Sequence, residues 1–140
     1  MNARLLDTGP LVAYLDPRDP AHTEVTALLD RFTGQLFTTS AVITEVMFFA
    51  APRAGGPRKL ADFLIATGTT VFDFTQPSRL PEAADLMQKY ADLPMDFADA
   101  TLILLAEQAD ILGVLTLDRR GFTVYRTRDG KPFHLVLDSA

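Results

Sequence analysis

Short apolar runs alternate along this chain with stretches whose apolar residues recur every three or four positions, and several of the short runs end in an acid. The first run, 3–6, ends at Asp7, after which Thr8-Gly9-Pro10 opens the helical pattern Leu11, Val12, Leu15. Pro20 begins a second amphipathic stretch through Val25, Leu28, Leu29 and Phe32, closed by Gly34. Positions 36–38 read as a short strand, and Ser40 as the N-cap of a helix over 41–51 that is broken at 52–57 before another over 58–67. The β-branched alternation of 69–74 predicts a strand, 78–90 a helix, Phe97–Ala109 an apolar helix and 114–117 a strand ending at Asp118. Positions 123–126 and 133–137 around Asp129-Gly130 have the pattern of a hairpin. Strands separated by helices predict an α/β sandwich with a mainly parallel sheet, and in such sheets ligands bind beyond the carboxyl ends of the strands.

At 140 residues the chain has room for one core, so residues 1–140 are expected to form a single domain. The absence of cysteine removes disulfides, thiolate nucleophiles and cysteine-ligated zinc from consideration. There is no run of 18 apolar residues, and the opening MNARLLDTGP lacks the pattern of a secretion signal, so the expected address is the cytosol with no membrane partner. A formal charge of −5 argues against a surface that attracts nucleic acid all over. It leaves two readings of the acids open: a solvated surface, or carboxylates gathered to hold divalent cations.

Position bears on that choice. Asp7 and Asp118 both follow predicted strands and therefore face one crevice, although an Asp between a strand and a helix is equally a good N-cap. Glu45 is the only charged residue between Gln35 and Arg53. In so apolar a helix it must reach solvent, pair with an arginine or bind a metal. Asp96 and Asp99 share a face at the start of an apolar helix. Asp96 suits a capping-box position, whereas Asp99, between Ala98 and Ala100, is the better ligand candidate. Together Asp7, Glu45, Asp99 and Asp118, with Asp96 alongside, make a carboxylate set suited to Mg²⁺ or Mn²⁺ rather than zinc, and the usual chemistry of such a set is phosphodiester hydrolysis.

The order of these motifs resembles the PIN-domain nucleases and, within them, the VapC-like toxin ribonucleases. The matching pieces are Leu5-Leu6-Asp7-Thr8, Ile43-Thr44-Glu45-Val46, Pro94-Met95-Asp96-Phe97-Ala98-Asp99-Ala100 and Leu115-Thr116-Leu117-Asp118-Arg119-Arg120-Gly121-Phe122. The resemblance implies a three-layer α/β/α sandwich and an Mg²⁺- or Mn²⁺-dependent endoribonuclease. It also implies the toxin of a type II toxin–antitoxin pair, a homodimer silenced by a cognate antitoxin. On the family pattern Asp7, Glu45 and Asp99 match the three firm acidic positions and Asp118 the more variable fourth. Asp96 is an additional carboxylate and possible metal ligand, and Thr8 and Thr116 match hydroxyl positions that steady the acids or the metal's waters.

Arg119, Arg120, Arg126, Arg128 and Lys131, interleaved with Phe122 and Tyr125, read either as an RNA-backbone track or as a solvated hairpin with its aromatics inward. The glycines and basic residues at 53–59 lack the ending of a phosphate loop. His22 reads as an exposed helix residue and His134 as a strand residue, too far apart to suggest ligand spacing; Met47, Phe48 and Phe49 read as core or, less favoured, a dimer contact. Two rivals remain. A phosphoacceptor receiver domain would need an acidic pair after the first strand and a late lysine, neither of which is present. A non-catalytic PIN fold acting as an RNA-binding or scaffold module would be expected to have lost an acid, and all four are present.

Overall fold

Five parallel strands lie in the order β3-β2-β1-β4-β5 in the computed structural model, which describes residues 2–139. Met1 and Ala140, included in the single-domain expectation, lie outside the described residues. The strands are β1 Ala3–Leu6, β2 Gln35–Thr39, β3 Thr70–Phe72, β4 Gly113–Leu115 and β5 His134–Leu135. The helices are α1 Thr8–Leu15, α2 His22–Arg31, α3 Ser40–Ala50, α4 Gly56–Thr67, α5 Leu80–Lys89, α6 Phe97–Ala109 and the single turn α7 Arg119–Phe122. A short 3₁₀ turn, Val136–Ser139, follows β5.

The chain steps outward from β1 to β2 and β3, then returns to place β4 on the other side of β1. Right-handed crossovers put helices of the outward steps on one face and those of the return on the other, giving three layers. Accordingly α1 packs on α2, α3 and α4, while α5 pairs with α6, which crosses β2. Leu5, Leu6, Val114 and Leu115 fill the sheet's interior, and Leu102, Ile103, Leu104 and Leu105 of α6 are buried all around that helix. An apolar helix with no polar stripe belongs in such an interior position. Because all the pairings are parallel, all strand carboxyl ends share one edge, and the reversal of direction between β1 and β4 opens a crevice there.

Several elements depart from sequence expectation. The cap of α3 is Thr39, whose extended backbone lets its hydroxyl accept from Val42 N at 3.3 Å; Ser40 instead lies in the helix and donates to Asp73. The helix predicted over 58–67 begins at Gly56 because Pro57 is accommodated in its first turn. The helix expected from Pro20 begins at His22, whose Nδ1 lies 2.7 Å from Ala13 O, so this histidine ties α2 to α1 rather than standing free. The expected hairpin is reduced to a single antiparallel bridge, Arg126 with Pro132, and β5 pairs in parallel with β4. The physical reason lies upstream: α7 occupies the residues that would lead into the first hairpin strand, and Phe133, Leu135 and Leu137 bury against the core.

Candidate active site

Asp7 leaves the end of β1 and caps α1. Its Oδ1 accepts from Thr8 N at 2.8 Å, its Oδ2 accepts from the Thr116 hydroxyl at 2.6 Å, and its own N–H is bound by Leu115 O across the sheet. The carboxylate is buried, and burial pushes its pKa up from 3.8 to about 6 against the opposing effect of the Thr116 and Thr8 hydrogen bonds. Thr116, just past β4, is thus placed where expected, and its hydroxyl also accepts from Asp118 N at 2.9 Å. Asp118 in turn accepts from Gly121 N at 3.0 Å and caps α7.

Asp96 and Asp99 form a reciprocal capping box at the start of α6. Asp99 N donates to Asp96 Oδ1 at 2.8 Å, and Asp96 N donates to Asp99 Oδ2 at 3.3 Å. Asp99 is half-buried, and its pKa is raised to about 8, first by desolvation and then by repulsion from Asp7, Asp96 and Asp118. The neighbours that repel it come from the end of β1, the cap of α6 and the turn after β4, so these carboxylates face one crevice. Glu45, half-buried on α3, is raised by burial; Thr8 opposes that shift and the neighbouring Asp96 adds to it. The Thr8 hydroxyl beside Glu45 is buried and makes no hydrogen bond of regular geometry. Four chain segments therefore meet here, and Asp7, Asp96 and Asp118 each cap a helix, as the cap reading expects. Among the described residues no three acids stand, with their side chains as they are, where they could hold one ion.

The basic residues divide. Arg119 and Arg120 are exposed on α7 immediately after Asp118. Arg126 folds back to donate to the carbonyls of Thr123, Val124 and Tyr125. Arg128 pairs with Glu82 at 3.2 Å, its N–H donates to Glu107, and Lys131 lies 3.8 Å from Asp110. Those last contacts sit at the far end of α6, about 20 Å from its acidic start at 1.5 Å per residue. A continuous basic track is therefore not formed, and Phe122 and Tyr125 face the core, which leaves neither ring open for a base.

Sequence reasoning missed three contributors. Thr39 and Thr101 share a buried 2.8 Å hydrogen bond that ties the start of α3 to α6. Tyr125 reaches Asp99 Oδ2 with its hydroxyl at 3.4 Å. Burial, then Asp99 and Asp118, push the Tyr125 phenol far above its ordinary value, so it stays a neutral donor. A groove of about 710 Å³, lined by Glu45, Asp96, Thr44, Phe48 and Phe97 among others, opens beside the acids.

Residues 4–127 match the model of the PIN domain family. The chain belongs to the PIN-domain family. This PIN domain is 30% identical over 133 residues to Ribonuclease VapC26 of Mycobacterium tuberculosis, covering 94% of the chain and 98% of that protein. In fold it resembles the crystal structure of Mycobacterium tuberculosis VapC20, described as a sarcin-ricin loop cleaving toxin. That match has a TM-score of 0.73 at 18% identity, over 84% of this chain and 91% of that one.

Proposed function

We propose that this PIN domain is a divalent-cation-dependent endoribonuclease, the toxin of a type II toxin–antitoxin pair, hydrolysing RNA phosphodiester bonds. The observation that carries the reading is the contact chain linking carboxyls of three distant segments at the β1/β4 crevice: Thr116 joins Asp7 to Asp118, and Tyr125, closing with Asp118 on Gly121, meets Asp99. The similarity to Ribonuclease VapC26 supports RNA as the substrate.

The donor chemistry fits Mg²⁺ or Mn²⁺: the side chains gathered here offer oxygen atoms, the set hard cations take. Asp7, Glu45, Asp99 and Asp118 would hold the cation, with Asp96 at the rim. Once bound, such an ion supplies an activated water and offsets charge on the attacking and leaving oxygens. Burial and the neighbouring acids raise the Asp99 pKa to about 8, a shift that a cation among these carboxylates would oppose. Thr116 fixes the rotamer of Asp7 while bracing Asp118, so the ends of β1 and β4 are held in register. Arg119 and Arg120 are exposed beside Asp118, where an RNA backbone would run.

Phe48 and Phe49 on α3 are exposed at 75% and 52% with ring centroids 5.4 Å apart, an apolar patch suited to a protein partner. A second copy of the chain and a cognate antitoxin are the partners proposed for it. Among the described residues no helix is long and apolar enough to cross a membrane, and a cytosolic site of action is part of the same proposal.

The test is cleavage of mixed RNAs by the purified chain. Activity absent in EDTA and restored by Mg²⁺ or Mn²⁺ is expected; undiminished cleavage in EDTA would overturn the cation requirement.

A further inference from the structure

Helix α7 folds a glycine against the acids. A β-carbon on Gly121 would lie 2.5 Å from Asp118 Oδ2 and 2.8 Å from both Tyr125 Oη and Cζ, so only glycine lets the carboxylate and the phenol close on the same point. The turn is self-consistent: Gly121 N donates to Asp118 Oδ1, and Gly121 O accepts from Tyr125 N at 2.9 Å. The Tyr125 ring is then wedged between Tyr90 and Phe122, with centroids 5.0 and 5.1 Å away at steep angles. Two buried rings on its flanks leave the phenol little freedom to turn, and its hydroxyl meets Asp99 Oδ2.

That oxygen has only one other donor in the capping box, Asp96 N at 3.3 Å. Two long contacts therefore share Asp99 Oδ2, one from the cap of its own helix and one from Tyr125, just past the end of α7. The contact from its own helix draws Asp99 toward the cap, whereas the one from Tyr125 draws it toward Asp118.

We propose that Tyr125 is a positioning residue of the acidic site, its hydroxyl, set in place by Gly121, holding the Asp99 carboxylate toward Asp118 in the orientation that receives the divalent cation. This rests on the reading of the acids as a cation site. A partner of this kind, acting on a ligand from outside the coordination sphere, typically changes metal affinity or activity 10–100-fold when removed.

Tyr125→Phe removes the hydroxyl and keeps the ring. Mn²⁺ binding measured at constant pH by calorimetry, or by the electron paramagnetic resonance of free Mn²⁺, gives a readout independent of cleavage. The expected result is a dissociation constant about tenfold higher than wild type with a nearly unchanged melting temperature. Cleavage should show a reduced kcat with KM for RNA unchanged. Tyr90→Phe is the control: the Tyr90 hydroxyl lies in the same aromatic cluster but accepts from a backbone group, Arg126 N at 3.1 Å, and not from the acidic site. It should lower the melting temperature and leave Mn²⁺ affinity alone. A folded Tyr125→Phe that binds Mn²⁺ within twofold of wild type would overturn the positioning role while leaving the cation site standing. Wild type that binds no Mn²⁺ at millimolar concentration would overturn both.

Discussion

Asp7 is a carboxylate that the fold has taken almost wholly out of water and left with a hydroxyl and one amide for compensation. Its pKa of about 6 means that it binds its proton more tightly folded than unfolded. Such a group contributes stability below the unfolded value and loses it as pH rises toward the folded one. In EDTA the melting temperature should therefore fall between about pH 4 and 6 on account of Asp7, by the equivalent of roughly 3 kcal/mol at most. Asp99 should extend the fall toward pH 8. Asp7→Asn should flatten the lower part of the profile, and a wild-type profile that rises across this window would contradict the assignment. The two acids of α6 separate by function. Asn caps nearly as well as Asp, so Asp96→Asn should keep fold and cleavage, whereas Asp99→Asn should stay folded and lose on the order of 10²-fold or more in rate. Cleavage assays on the two variants, with circular dichroism as a fold control, check this, and the opposite ranking would move the ligand one turn earlier. The acids themselves were legible in the sequence because an isolated charge in an apolar run, as at Glu45, has few places to go. Tyr125 was not: an aromatic residue in a basic run looks the same whether it faces RNA or the core, and only the turn at Gly121 decides.

Elements position these side chains by their ends. α1, α6 and α7 each begin on an Asp, and the cap geometry that starts the helix also aims the carboxylate at the crevice. α3 begins on Thr39, whose hydroxyl both caps that helix and reaches Thr101 on α6, so Glu45 and Asp99 are carried by helices pinned to each other. Thr39→Ala should cost about 1–2 kcal/mol in denaturant unfolding through lost capping and a lost buried hydrogen bond. A change under a few tenths of a kcal/mol would mean the two helices are held by packing alone. The long helix α6 was readable to its exact bounds because an apolar stretch between Asp96 and Asp110 has clear ends. α7 was not, since one turn is too short for periodicity to register. The alternation of Phe133, Leu135 and Leu137 revealed a strand but not its neighbour, because a period of two says which face is buried and nothing about which strand lies alongside.

The whole molecule resolves a conflict that its composition poses, an acidic chain proposed to act on a polyanion. Its carboxylates are not spread evenly; those of residues 7, 45, 96, 99 and 118 lie around the carboxyl ends of the paired strands β1 and β4, and on the proposed reading a cation there would turn a mutually repelling part of the surface into an RNA-binding one. Metal should accordingly stabilise the fold by mass action, by roughly 2.7 kcal/mol at about 100 times the dissociation constant, seen as an upward shift in melting temperature with Mn²⁺. Asp7→Asn should blunt that shift, and an unchanged wild-type midpoint at saturating Mn²⁺ would instead indicate scattered helix caps. The central claim, that four distant segments build one cation site, is tested most directly by locating Mn²⁺ from its anomalous scattering in crystals of the protein. A peak in the crevice bounded by Asp7, Asp99 and Asp118 is the expected result. Mn²⁺ bound elsewhere, with that crevice empty at saturating concentration, would contradict it.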